Sequence, residues 1–316
     1  MREPVVFLCL LPLISGFAQS TSLELYVWNR YTTDFDSLNL KGSEFALKRA
    51  YLRINHSFSD RISARFNLDF FSSERYPDGA GVKVKYAYVQ FKDLLIPHSR
   101  FTWGLVKTYF GTVYEWDYTC MEKAPEDLYH AVSSTDYGLS LSGSFPGEYG
   151  EYAVFLLNGE GYRKTGRDVD LSPASGVHLR ITPIHGITLG GSLIYEPPVD
   201  TLPYELYAAG VVKIRKDPVS ITGEYLYTEE NGEAKQGFMA MFFFNLKKLV
   251  KKDLQFVLRW DRWNEENLLF SGLNWYILRR EKGKPGIVLQ TAWERKPEKM
   301  KDRFMFQIRW EFATKI

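Results

Sequence analysis

The stretch Arg61-Ile62-Ser63-Ala64-Arg65-Phe66-Asn67-Leu68-Asp69-Phe70 decides the fold class. Ile62, Ala64, Phe66, Leu68 and Phe70 occupy one parity, and Arg61, Ser63, Arg65, Asn67 and Asp69 occupy the other. A period of two marks an extended strand whose two faces meet different surroundings. The segment before it alternates likewise, Ala50, Leu52, Ile54 and Phe58 against Arg49, Tyr51, Arg53 and Asn55, with the polar turn Ser59-Asp60 between the two. Further along, Val177, Leu179 and Ile181 alternate with His178, Arg180 and Thr182, and Phe256, Leu258 and Trp260 with Gln255, Arg259 and Asp261. Near the C-terminus Phe304, Phe306, Ile308, Trp310 and Phe312 alternate with Met305, Gln307, Arg309 and Glu311.

Working outward from these segments gives sixteen strands: 22–32, 45–58, 61–71, 82–92, 100–110, 135–144, 150–158, 174–183, 187–196, 204–216, 218–228, 235–246, 254–263, 267–277, 286–295 and 303–314. Even strands are mostly followed by tight turns, such as Ser59-Asp60, 183–186 and Asp217-Pro218. Odd strands are followed by longer polar loops at 33–44, 72–81, 111–134, 159–173, 197–203 and 229–234. An even strand number with short turns at one end and long loops at the other predicts an all-β, transmembrane, antiparallel up-and-down barrel of about 16 strands. Closure is what lets a sheet live in lipid, since no unpaired backbone edge remains.

Composition agrees. The chain has 316 residues, 45% hydrophobic and 25% charged, with 40 Lys+Arg against 38 Asp+Glu. That balance leaves no global field to attract phosphates, so a nucleic-acid partner is not expected. Aromatic residues make up 16%. Many of them fall near strand ends, Tyr26, Trp28, Phe58, Trp103, Tyr195, Trp275, Tyr276 and Trp293 among them, where amphipathic rings form interfacial girdles against lipid. Lys48, Lys83 and Lys85 break the apolar parity near external strand ends, where lysines can snorkel to lipid headgroups.

Arg2, the apolar run Val5 to Ile14, and the small residues Gly16 and Ala18 read as a signal peptide over 1–18, leaving 19–316 as one barrel domain exported to a Gram-negative outer membrane. Cys9 lies in that leader, so the mature chain keeps Cys120 alone and has no internal disulfide. No stretch is long and apolar enough for a transmembrane helix.

The third external loop, 111–134, is the longest and is expected to fold inward and narrow the lumen. Its charges are Glu115, Asp117, Glu122, Glu126 and Asp127 against Lys123 alone, a net charge of −4. The barrel wall carries the opposite sign. Arg309 on the last strand, Arg30 on the first, Arg49 and Arg53 on the second and Arg65 on the third lie on strands that become neighbours on closure, and Arg180 and Arg259 add inward cations elsewhere. Arginine suits a passing oxyanion, because its charge is permanent and its fork donates two parallel hydrogen bonds. The alternative is a scaffold in which these arginines pair with Glu24, Asp69, Asp261 and Glu311.

Several stretches resemble the phosphate-selective porin O and P family of Gram-negative bacteria: Arg49 to Arg53, Trp103 to Gly111, Thr135 to Gly143, Tyr152 to Gly161, Val177 to Pro183 and Gly272 to Tyr276. The resemblance is diffuse and runs over nearly the whole mature chain. It implies a sixteen-strand homotrimeric diffusion channel with an arginine-lined lumen, carrying small ions or solutes, anions such as phosphate included. Its phosphate-specific members place basic residues at the constriction, where this chain has its acidic loop. Outer-membrane lipids and the barrel-insertion machinery, which reads an aromatic last strand, are the other expected partners.

No cofactor is expected. Gly79-Ala80-Gly81 and Gly159-Glu160-Gly161 are lone pairs without a following helix, and the five histidines show no metal spacing. Two other functions compete with the porin. One is a structural or adhesive barrel with a plugged lumen. The other is an outer-membrane lipase-type enzyme, which would need a Ser/His/acid group at the lipid boundary; His178, the histidine placed mid-strand, has the lumen parity.

Overall fold

Each of the sixteen alternating segments forms a strand in the computed structural model, which describes residues 19–73, 79–117, 122–162, 172–199, 203–279 and 285–315. The expected leader 1–18 and Cys120 lie outside the described residues. The first eight strands are β1 (Ser20–Asp36), β2 (Asn39–Ser57), β3 (Ile62–Ser72), β4 (Ala80–Lys92), β5 (Ser99–Lys107), β6 (Thr135–Ser144), β7 (Gly150–Leu157) and β8 (Ala174–Ile184). The rest are β9 (Ile187–Glu196), β10 (Glu205–Lys216), β11 (Val219–Glu230), β12 (Glu233–Asn245), β13 (Leu254–Trp263), β14 (Glu266–Leu278), β15 (Gly286–Lys296) and β16 (Lys301–Lys315). Each pairs antiparallel with its sequence neighbours, and β1 closes on β16 from Ser22 opposite Lys315 to Asp36 opposite Lys301. All backbone pairing is thus internal to one closed sheet, as an apolar surrounding requires.

The parities sort as the alternation demands. On β8, Val177, Leu179 and Ile181 are 51%, 49% and 42% exposed on the outer face, whereas His178 and Arg180 are buried inside. An outer face this apolar over the whole circumference is stable only against lipid.

Three expectations are corrected. The segments 33–44 and 229–234 are not long loops: β1 and β11 run on into two-residue hairpins, Ser37-Leu38 and Asn231-Gly232. All four turn residues have positive φ, the conformation a type I′ hairpin needs. Lys48, Lys83 and Lys85 do not reach lipid. Register shifts skip Lys48 opposite Trp28/Asn29 and Lys85 opposite Asn67/Leu68. Each bulge adds one residue, which reverses the parity beyond it. Lys83 then lies 3.4 Å from the buried Asp69, Lys85 bonds Ser134 inside the barrel, and Lys48 interacts with Glu122 of the third loop. Thirdly, Tyr26, Trp28 and Tyr276 border the lumen and take no part in an outer girdle. Phe58, Trp103, Tyr195, Trp275 and Trp293 are exposed on the outside.

The inward parity is also less polar than its arginines suggest. From β7 to β11 it carries Ala153, Phe155, Leu157, Ala174, Ile194, Ala209 and Leu226, which pack with Phe110, Val113, Ala124 and Val132 of the third loop. A second cluster on β12 to β16, Met239, Met241, Val257, Phe270, Ala292 and Met305, receives the loop's Trp116. One side of the lumen is therefore a packed core.

Candidate functional site

β5 and β6 leave the wall at the Lys107–Thr135 pair, and the chain between them turns into the lumen. The turn depends on Gly111, whose φ of +46° suits glycine. A Cβ there would come within 2.0 Å of a Glu126 oxygen and 2.2 Å of a Glu224 oxygen. Gly111 N–H donates to Ser192 Oγ on β9 at 3.1 Å, and its carbonyl accepts from Arg180 Nη2 at 2.6 Å. After Pro125 the loop makes one helical turn, α1 (Pro125–Leu128). Glu126 on that turn is fully buried. It accepts the Thr112 and Val113 N–H groups at 2.6 and 3.0 Å, while the Thr112 hydroxyl donates to Glu224 on β11 at 2.7 Å. Loop and wall thus meet at two buried carboxyls.

Every other acid of the loop faces cations. Glu115 bonds Arg180 of β8 and Lys213 of β10. Burial alone would raise its carboxyl, but Lys213 and Arg180 hold it below the ordinary range. Arg309 of β16 donates to Asp117 at 2.6 Å. Glu122, also pushed up by burial, is held down by Lys48, Arg30 and the Lys123 N–H. Asp127 lies 3.5 Å from Lys123, and Lys123, Lys85 and Arg49 hold it low against its burial. Arg259 also holds the loop: it donates to the Lys123 carbonyl at 2.6 Å and lies 5.0 Å over the Trp116 ring, while pairing with the fully buried Asp261 on its own strand.

Across the lumen, between loop and wall, lies a cavity of about 560 Å³. Of the seven arginines singled out in the sequence, Arg53, Arg65 and Arg309 border it. Arg180 and Arg259 point inward too, but are buried under the loop as its clamps. Arg30 is buried on Gln307 at 2.9 Å, and Arg49 lies 3.7 Å from Asp69. All four acid partners of the scaffold alternative are in place, the others being Glu24 on Arg53 at 2.9 Å, Asp261 on Arg259 and Glu311 at 3.9 Å from Arg309. Rings hold the forks: Arg53 lies 4.9 Å over Tyr26, Arg49 5.5 Å over Tyr51 and Arg65 5.9 Å over Tyr88. A stacked guanidinium keeps its N–H edge free for a solute.

The cavity borders six basic side chains and four acidic ones. Among the described residues, Arg65, Lys85 and Lys107 form no ion pair with an acid. Lys107 and Lys85 were missed in the sequence. The first lies where the chain leaves the wall, and the second is turned inward by its bulge. The only usable signal was a lysine out of parity. The structure also aligns Ser192 Oγ 2.8 Å from His178 Nδ1, with His178 Nε2 3.8 Å from Glu151. Ser192 and His178 lie buried beneath the loop, where the serine holds Gly111.

The carboxyl pair makes loop docking sensitive to pH. Burial pushes the Glu126 carboxyl above the usual glutamate range, and it is hydrogen-bonded to Glu224, which requires a shared proton. The carboxyl pair therefore favours docking below its raised value and weakens it as pH rises through that value, a range in which the ion pairs of Glu115, Glu122 and Asp127 stay formed. Single-channel conductance is expected to increase reversibly from acidic to alkaline buffer. It should stay flat when Glu126→Gln is combined with Glu224→Gln, so that neither partner can ionise; a wild-type conductance independent of pH would exclude the shared proton.

No protein-family model matches the chain, and no curated protein matches it in sequence. Solved structures do. The chain is similar to OmpF of Salmonella typhi in complex with daunomycin, at 9% identity and a TM-score of 0.62, over 92% of this chain and 97% of that one. It is similar to the outer-membrane channel DcaP of Acinetobacter baumannii, at 10% identity and a TM-score of 0.60, over 95% and 99%. A trimer form of OmpT, an outer-membrane protein of Vibrio cholerae, matches at 10% identity and a TM-score of 0.59, over 93% and 100%. At these identities the likeness is one of fold, and the fold is the sixteen-strand outer-membrane β-barrel.

Proposed function

We propose that this chain is an outer-membrane porin through which small anions, phosphate among them, diffuse along the crescent between the third loop and the β1–β5 wall. One observation carries the reading. The acids of the loop are matched by cations or share a buried proton, whereas Arg65 and Lys107 face the cavity and form no ion pair with an acid among the described residues. In a narrow lumen with low-dielectric walls such uncompensated charge concentrates counter-ions and raises the barrier for cations. The acidic loop and the basic wall therefore do not cancel in the open part of the channel.

Export through the leader 1–18, assembly by the barrel-insertion machinery and a homotrimeric state belong to the same proposal. The trimer form of the structurally similar OmpT supports the last of these. The apolar packing of the loop favours the plugged-barrel reading on one side of the lumen, and the 560 Å³ cavity on the other side favours a channel. The test is conduction: folded full-length protein in planar bilayers should give discrete steps, with a reversal potential on the anion side under a salt gradient.

A further inference from the structure

The residues that border the lumen cavity change in kind from strand to strand. On one side stand Arg53 of β2, Arg65 of β3 and Lys107 at the end of β5, with Lys107 close enough to interact electrostatically with both arginines. Tyr86 of β4 stands beside Arg53 and Arg65, and its hydroxyl forms no hydrogen bond among the described residues. On the other side stand Glu311 of β16 and Asp117 of the third loop. Asp117 accepts from Arg309 at 2.6 Å and Glu311 lies 3.9 Å from it, so one guanidinium is shared between two acids. Arg279, the other cation on this side, is held by Asp253 through two bonds of 2.7 Å.

Between the two sides, on β1 and β2, lies a platform of rings. Tyr26 and Trp28 stack with centroids 6.2 Å apart and planes 13° apart, and Tyr51, in register with Tyr26, meets Trp28 edge-on at 5.4 Å. The Tyr26 hydroxyl donates to Glu24 at 2.6 Å and the Tyr51 hydroxyl accepts from Arg49 at 2.5 Å, which holds the rings in place. Bare phosphate gains nothing from such a platform, and the acids beyond it repel a dianion. A neutral sugar leaves Arg65 and Lys107 without an anion. An aromatic acid brings no hydroxyl donor to Asp117 and Glu311.

We propose that the cavity recognises a phosphorylated sugar in transit. The phosphate binds Arg65, Lys107 and the Tyr86 hydroxyl, and the sugar ring lays a C–H face on the Tyr26–Trp28–Tyr51 platform. The sugar hydroxyls donate to Asp117 and Glu311, since a carboxylate has about four acceptor sites and Arg309 does not use them all. Cation, ring and acid each have ordinary roles in a polar lumen. Their order along the neighbouring strands β5, β4, β3, β2, β1 and β16 is what a phosphate joined to a polyol requires. The inference rests on reading the chain as an anion channel and names the class of solute.

The experiment is single-channel recording of the folded full-length protein in planar bilayers, with glucose 6-phosphate, inorganic phosphate, glucose and benzoate as probes of the chloride current. Glucose 6-phosphate should interrupt the current at a concentration about tenfold lower than any of the other three. Arg65→Gln with Lys107→Gln should abolish the interruptions. Tyr26→Leu with Tyr51→Leu should raise the concentration of glucose 6-phosphate required about tenfold and leave that of phosphate unchanged. If that variant does not fold, Asp117→Asn carries the test: it should weaken glucose 6-phosphate, strengthen phosphate and so narrow the difference between them. Equal interruption by glucose 6-phosphate and by phosphate or benzoate overturns the inference and leaves the channel in place. Protein that forms no pores removes the channel reading, and saturation-transfer NMR of the same probes on the protein in detergent then decides the site. Transfer to glucose 6-phosphate above the other three upholds it, and its absence overturns it.

Discussion

Replacing Arg65 and Lys107 together by glutamine is expected to lower the anion-to-cation permeability ratio about tenfold, to a value near unity. Both side chains border the cavity, and neither pairs with an acid among the described residues. Their charge therefore acts on a passing ion without local cancellation. The other basic groups compare differently. Arg53 is shared with Glu24 at 2.9 Å, and Arg309 with Asp117 at 2.6 Å, so removing either exposes an acid as well as deleting a base. Arg65→Lys should keep most of the ratio, because sign matters more than fork geometry for monovalent ions, while phosphate passage should suffer more from the loss of the fork. Reversal potentials under a salt gradient read both effects. A ratio unchanged in the double variant would reduce these cations to wall scaffolding.

The largest structural effect is expected at Arg259. Arg259→Leu leaves Asp261 fully buried without its main partner and deletes the bond to the Lys123 carbonyl. Breaking a buried pair on one side costs about 3–5 kcal/mol, against at most about 1 kcal/mol for an exposed pair such as Lys299–Glu266. The strain should show in two ways. Thermal unfolding of the barrel shifts downward, and the third loop, freed at Lys123 and Trp116, leaves a larger and noisier conductance. Adding Asp261→Leu removes the buried charge and should recover much of the stability while the loop stays loose, because the Lys123 bond is still absent. Recovery of both properties together would mean that the loop is not held through Arg259.

The strands were legible in the sequence because lipid outside and a different environment inside impose opposite demands on alternate residues, as Ile62 to Phe70 shows without help from any partner. Closure was legible from strand number. Bulges were not: Lys48 and Lys85 read as outward residues because a single inserted residue leaves no mark in composition and reverses parity only for a few positions. Hairpins were misread at 33–44 and 229–234 because polar residues continue as strands beyond the lipid boundary, where neither face need be apolar. Within the site, the loop's position and its acidic charge were legible, and so were the arginines. The partner of each was not, because pairing such as Glu115 with Arg180 and Lys213 joins residues 65 and 98 positions apart. That pairing changes the meaning of the loop's charge, from a net −4 facing the lumen to acids matched one by one with cations or sharing a buried proton.

The central claim is that uncompensated wall cations set the sign of selectivity. Reversal potential measured on the wild-type protein in planar bilayers, with chloride and potassium at unequal concentrations, tests it most directly. The account requires a potential displaced toward the chloride equilibrium value; displacement toward the potassium value would contradict it.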